Sequence, residues 1–209
     1  MSTDTILWFI PACFALNMAF GPNNLLALTN AMRAGIPTAL AASLGRILAF
    51  AIMIAITALG LGALMIASEV AFSAVKWAGA AYLVWLGIKL LRADAPKIGD
   101  LDAARPARTT ASLARQEFWV AIGNPKAVLI FTAFFPQFLD RGDYATSFAV
   151  LGVIFLLLEM AAIAVYAFIG SHLGRFTGNS NVFAWMNKVS GGLMIAFGAM
   201  LALARRPTA

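Results

Sequence analysis

The sequence has one cysteine, Cys13, and one histidine, His172, among its 209 residues. A lone cysteine forms neither an internal disulfide nor a CxxC redox pair, and a lone histidine builds no HExxH zinc site. A GxxxxGK[ST] loop is missing as well, so ATP is not an obvious energy source. Charge is equally scarce. Charged residues make up 11% of the chain, against roughly 25% in an average soluble domain. Apolar residues make up 62%, and the mean hydropathy is +0.86. A water-soluble globule of this size needs more polar surface, so the outer surface is read as facing lipid. The net charge of +6 is read as cytoplasmic loop charge, not as a nucleic-acid footprint. No catalytic residue set, cofactor or metal is expected, and the chain is not read as an enzyme.

What the sequence does have is long apolar runs. A transmembrane helix takes about 20 apolar residues. Six such runs lie near Ile6–Met32, Thr38–Ala67, Ser73–Leu91, Phe118–Leu139, Ala145–Gly170 and Val182–Ala204. The first is not read as a cleaved signal peptide: it lacks a positive n-region and carries Asp4. Trp8, Trp77, Trp119 and Trp185 stand near span starts, where an amphipathic ring suits the headgroup region. Trp85 falls mid-span and is read as packing or pocket lining. With six spans both termini share one side. The other side holds nine Lys and Arg residues against four, with the in-span Arg46 and Lys126 left out, so it is assigned to the cytoplasm and the termini to the outside.

The chain repeats itself. Gly21-Pro22-Asn23-Asn24 interrupts span one and Gly123-Asn124-Pro125-Lys126 interrupts span four. Lys76-Trp77-Ala78-Gly79 and Lys188-Val189-Ser190-Gly191 open spans three and six with the same KxxG spacing. Three spans is an odd number, so the second half enters the membrane upside down. The expected fold is an all-α membrane protein of six helices, built as two inverted three-helix repeats whose first helices are broken. Residues 1–91 form the first repeat, 92–116 a cytoplasmic linker and 117–209 the second repeat. Such repeats, with breaks at equivalent positions, point to a secondary transporter with its site at the breaks.

The breaks carry chemistry. Proline lacks an N–H and frees backbone groups, each costing several kcal/mol in hydrocarbon unless protein or water satisfies it. Asn23, Asn24 and Asn124 can satisfy them, or offer amides to a zwitterion; a capped structural kink is the alternative. Three charges fall well inside the spans, away from their ends: Arg46, Lys126 and Glu159. With Asn24 they lie about 12–17 Å from the cytoplasmic ends at 1.5 Å per residue, in one layer. Intramembrane charges face the interior, pair, or mark a transport path. Glu159, the only carboxylate within the drawn spans, is the candidate for proton coupling. Arg46 or Lys126 is the candidate for a substrate carboxylate. A structural pair of Glu159 with Arg46 or Lys126 weighs about as much. Ala41, Gly45 and Ala49 form a small-residue face for close helix approach. Asn17 faces the pocket or a neighbouring helix, Cys13 is lipid-facing or packed, and His172 is solvated or caps a helix. Phe131, Phe134, Phe135 and Phe138 are packing or lipid surface, with Phe131 and Phe135 as candidate pocket walls.

These motifs together resemble the LysE/RhtB amino-acid exporters. Gly21-Pro22-Asn23-Asn24-Leu25-Leu26-Ala27 is similar to that family's signature. The stretch from Lys76 to Gly87 resembles its third span, and Asn124-Pro125-Lys126-Ala127 with Phe134-Phe135-Pro136-Gln137-Phe138 its fourth. The resemblance implies a six-helix exporter of amino acids or related metabolites in a bacterial inner membrane, running by proton antiport. It places Asn23, Asn24, Asn124, Pro125 and Lys126 in the central site and leaves room for a homodimer. One departure stands out. Many members carry a glycine and then a polar or acidic residue in span two, where this chain has Ala49 and Phe50, with Arg46 upstream. Superfamily relatives that move electrons or metals use paired cysteines or His-rich segments, which this chain lacks. The scarce charge favours a neutral zwitterion over lysine as substrate. A non-transporting scaffold or accessory subunit is the competing reading, and it has no need of paired breaks.

Overall fold

The computed structural model describes residues 3–67 and 109–173, and individual residues between 73 and 92 and between 185 and 202. All the regular structure among them is helical. Helix α1 covers Thr3–Met18, α2 Pro22–Ala67, α3 Thr110–Ile122, α4 Pro125–Leu129 and α5 Tyr144–Leu173. Two helices are long and apolar enough to cross a membrane, over Pro22–Gly60 and Tyr144–His172. The bent pair Thr110–Ile122 and Lys126–Gln137, meeting at 55°, passes the same test only when taken together, as a broken span or a re-entrant loop. Spans three and six are described only in part, and Lys76 and Gly79 of the first KxxG lie outside the described residues.

Helix α2 contains the end of span one and all of span two. Its arms, 22–34 and 36–67, join through Gly35, whose φ of 82° and ψ of 165° are not helical. That region of backbone space is essentially closed to residues with a Cβ. Among the described residues Gly35 is the only one with positive φ. Gly35→Ala is expected to destabilise the protein by about 1–3 kcal/mol, read as a lower melting temperature in detergent.

The long arm of α2 and helix α5 run antiparallel. Ser43 meets Met160, Arg46 meets Glu159, Phe50 meets Phe155, and Tyr144 donates to the carbonyl of Ala58. Gly45 lies so close to α3 that a Cβ there would stand 2.0 Å from the carbonyl oxygen of Ala114. Gly170 approaches the first arm of α2 in the same manner, at the carbonyl of Leu28. Small residues thus let the backbones touch, as they do in membrane helix packing generally.

Span four begins earlier than its apolar run. Thr109 caps α3, its hydroxyl accepting from the amide of Ser112, so the helix starts eight residues before Phe118. Leu113, Glu117 and Ala121, spaced by four, form its buried face. After the bend, α4 passes into a π-helical turn, Ile130–Phe134, and a 3-10 turn, Phe135–Gln137. Pro136 has no N–H for the carbonyl one turn back, and Thr132 donates to the carbonyl of Val128, both of which disturb regular α geometry. This segment delivers Phe131, Phe134 and Phe135 to a buried aromatic cluster with Phe9, Phe50, Phe148 and Phe155.

The aromatic surface agrees with the expectation at four tryptophans. Trp8, Trp77, Trp119 and Trp185 are exposed, as rings at a headgroup boundary would be. Trp85 is 51% exposed and lies beneath Lys89, whose Nζ is 5.1 Å from the ring centroid. An exposed ring with a cation beside it suits a boundary position. Cys13 is packed inside, and the His172 Nδ1 lies 2.9 Å from the carbonyl of Phe168, as a local cap of α5.

Candidate functional site

The two breaks meet. In the first half α1 ends at Met18 and α2 opens at Pro22. In the second, Gly123 ends α3 and Asn124 caps α4, its Oδ1 accepting from the amide of Lys126 at 3.0 Å. Pro22 and Pro125 each open a helix, where a missing N–H costs nothing. The prolines therefore start new helices; they do not kink continuous ones. Asn124 Nδ2 donates to Asn23 Oδ1 and ties one break to the other.

A helix that stops inside a membrane leaves its last carbonyls without partners. Here the carbonyls of residues 16–19 are all met by side chains from other elements. Lys126 Nζ donates to those of Leu16 and Ala19, at 3.2 and 2.8 Å. Asn24 Nδ2 donates to those of Asn17 and Ala19, at 2.8 and 2.9 Å. Tyr166 donates to that of Met18 at 2.7 Å. Lys126 is thus a cation at the negative end of a helix dipole. It forms no ion pair with Glu159, so of the two pairings open in the sequence the structure has Arg46–Glu159, at 3.1 Å. The carbonyls of α1 are already occupied in this arrangement.

Beside the breaks lies an ion cluster. Arg46 Nε and Nη2 donate to Glu117 Oε2 at 2.9 and 2.7 Å. Its Nη1 donates to Glu159 Oε1 at 3.1 Å and Asn24 Oδ1 at 3.3 Å, and its Nη2 to the carbonyl of Asn23. Asn30 Nδ2 donates to Glu117 Oε1 at 3.2 Å. Arg46 and Glu117 are fully buried and Glu159 nearly so. Glu159 is therefore not alone as a buried carboxylate: Glu117 is a second, on the same guanidinium. It stands one residue before the apolar run that marked span four. Its place between Leu113 and Ala121 at a spacing of four was the signal for a buried position. Asn30, seven residues after Asn23 on α2, and Tyr166, seven after Glu159 on α5, were also not singled out by the sequence reading. Both lie on the same helix faces as those residues.

Arg46, Asn23, Asn24, Glu159 and Asn124 thus form one connected network, while Lys126 joins it through the end of α1. Gly21 lies in the first break, and a Cβ there would meet only ordinary contacts, the nearest being Lys126 Nζ at 3.9 Å. Two buried polar atoms in this region lack partners: Asn17 Oδ1, an acceptor, and Asn23 Nδ2, a donor. The aromatic cluster adjoins the ions. Phe50 follows Arg46 by one turn of α2, and Phe155 precedes Glu159 by one turn of α5. Their rings both stack edgewise on Phe131, with centroids 5.8 and 4.9 Å away. Phe50 thus occupies the place where the resemblance implied a polar or acidic group.

Comparison with known proteins identifies the family. The family model described as LysE type translocator matches residues 14–205. The chain is 31% identical over 205 residues to an uncharacterised membrane protein of Vibrio cholerae, covering 97% of this chain and 99% of that one. It is 31% identical to the homoserine/homoserine lactone efflux protein of Salmonella typhimurium, covering 97% of this chain and 94% of the relative. It is 27% identical to the leucine efflux protein of an Enterobacter species, with 93% of each chain covered. No solved structure matches the chain. The family model spans nearly the whole sequence and both helix breaks, and the chain belongs to the LysE type translocator family.

Proposed function

We propose that this protein exports amino acids or related small metabolites across the bacterial inner membrane in exchange for protons. The observation that carries the reading is the meeting of the two helix breaks at Asn23 and Asn124, beside unpartnered buried polar atoms on Asn17 and Asn23. A buried donor and a buried acceptor left open are costly in a static protein, and a transported zwitterion can satisfy both. Relatives named for homoserine and leucine efflux support this substrate class.

In this reading Asn23, Asn24, Asn124 and Lys126 border the substrate, with Pro125 fixing the start of α4. Arg46 holds the ion cluster, and Glu159 exchanges the proton. Arg46 and Lys126 balance Glu117 and Glu159 in formal charge, so a neutral zwitterion enters without disturbing the total. The aromatic layer at Phe50, Phe131 and Phe155 forms the barrier on the outer side. Six spans in two inverted repeats, 1–91 and 117–209 joined through 92–116, supply the alternating geometry. The reciprocal contact of Gly87 and Gly191 supports it: a Cβ on either would press on the other's carbonyl oxygen, at 2.6 and 2.7 Å. The 3–4 loop is cytoplasmic and the termini lie outside. Exposed Leu44, Leu48, Ile52, Leu157 and Phe168 face lipid.

The test is efflux from proteoliposomes loaded with a mixture of amino acids that includes homoserine and leucine. Wild-type protein is expected to release a subset of them. Asn23→Ala is expected to slow that release about 10–100-fold, the value of one hydrogen bond to a charged group, while the protein still assembles in the membrane. Release of no compound by the wild type refutes the export reading.

A further inference from the structure

We propose that Glu117 is a second proton-coupling carboxylate, acting with Glu159 through the Arg46 guanidinium that the two share. This rests on the reading of the protein as a proton-linked exporter.

The geometry is that of one cation between two anions. Arg46 on α2 gives two donors to Glu117 on α3 and one to Glu159 on α5. The guanidinium does not give up its own proton. When both carboxylates are ionised the triad carries one unpaired negative charge in a buried place, and one added proton makes it neutral. Lys126 offsets that charge in the region as a whole, but it pairs with neither carboxylate. Asn30 is the other polar partner of Glu117. Cys13, Tyr166 and Lys126 stand within electrostatic reach of Glu159. Of these only Lys126 is a cation, and its ammonium is engaged by the carbonyls of Leu16 and Ala19.

The two carboxylates also differ in position along their helices. Glu117 lies about 10 Å from the start of α3 at Thr110, and Glu159 about 21 Å from the end of α5 at Leu173, at 1.5 Å per residue. Both accept from one guanidinium and so lie side by side; Glu117 is the one within about two turns of the start of its helix. Phe155 and the aromatic layer adjoin Glu159. In the proposed cycle the proton is taken up at Glu159, beside the aromatic layer, and released from Glu117, near the start of α3. A proton arriving at Glu159 forms an O–H bond where the Arg46 Nη1–H···O bond was. Arg46, still charged, stays on the ionised Glu117. Transfer of the proton to a Glu117 oxygen breaks the Arg46–Glu117 bonds and returns Arg46 to Glu159. Loss of the proton to the cytoplasm restores the starting triad. Substrate moves outward in the same cycle, and no other reactant takes part.

The experiment compares two activities of the full chain in proteoliposomes, using labelled leucine and labelled homoserine. One is accumulation driven by a pH gradient, and the other is counterflow at equal pH. Glu117→Gln is expected to lose gradient-driven accumulation at least about tenfold more than counterflow, and Glu117→Asp to restore part of it. Glu117→Asp is also expected to move the midpoint of the transport pH profile, which a purely structural partner of Arg46 would leave in place. A Glu117→Gln protein with the wild-type gradient response overturns the proposal. So does equal loss of both activities together with an unshifted profile in Glu117→Asp. If Glu117→Gln does not assemble, the Glu117→Asp profile alone decides. Wild-type protein with no flux in either assay overturns the export reading itself, and wild-type flux indifferent to the gradient overturns its proton-linked part.

Discussion

Arg46→Gln is expected to abolish transport and to destabilise the protein by about 3–5 kcal/mol, the cost of removing one partner from a buried ion pair. The reason lies in how many groups depend on that one side chain. Glu117 Oε2, Glu159 Oε1, Asn24 Oδ1 and the carbonyl of Asn23 all accept from it. A glutamine has two N–H groups and no charge, so both carboxylates lose their counterion at once. Arg46→Lys does not rescue the loss, because an ammonium cannot present the planar fork that spans α3 and α5. The double change Arg46→Gln with Glu117→Gln is expected to be more stable than Arg46→Gln alone, since it removes one of the orphaned charges. Thermal unfolding of purified protein in detergent, alongside efflux, reads both results. A single mutant as stable as the wild type would mean that the cluster contributes little to the folded state.

Gly45→Ala is the second large effect. The added methyl carbon would stand 2.0 Å from the Ala114 carbonyl oxygen and 2.7 Å from its carbonyl carbon. These are backbone atoms, so no rotamer change relieves the overlap. Helix α3 must move away from α2, and the neighbouring Arg46–Glu117 bonds at 2.7 and 2.9 Å stretch with it. Overpacking of a filled interior costs about 1–3 kcal/mol, and contact with backbone places this site at the upper end. Gly60→Ala is the control: a Cβ there meets nothing within 4 Å, and alanine favours the helix by up to about 1 kcal/mol. Opposite shifts in melting temperature for the two variants are expected, together with slower efflux for Gly45→Ala alone. Ala114→Gly in the Gly45→Ala background does not help, because the clash involves the carbonyl and not the Ala114 side chain.

The features legible in the sequence were those set by strong local chemistry. Proline beside asparagine and glycine inside an apolar run marks a broken helix, and both breaks lie where those residues placed them. The layer formed by Arg46, Asn24 and Glu159 followed from counting residues along helices of fixed rise, and the structure bonds these side chains together. Glu117 escaped because a hydropathy run is an average. A carboxylate at the edge of the run lowers that average and is assigned to the loop, although the Thr109 cap and the spacing of Leu113, Glu117 and Ala121 belong to one helix. The partners of Lys126 were not legible for a different reason. They are backbone carbonyls of α1, more than a hundred residues away, and no side-chain pattern encodes a carbonyl. The exposed face of Trp85 was not legible, because position along a span says nothing about which way a helix turns.

The reach of the Arg46 pairings has a consequence for synthesis. Its partners follow it by 71 residues in Glu117 and 113 in Glu159. At about 5–20 residues per second, the ribosome delivers the first about 4–14 s after Arg46 and the second about 6–23 s after it. During that interval the nascent first half holds an uncompensated guanidinium in or near the bilayer. Its earlier-made neighbours, Asn24 and the carbonyl of Asn23, are the groups in hand to receive it. The broken first helix thus also serves as a holding place for a charge whose permanent partners have not yet been made.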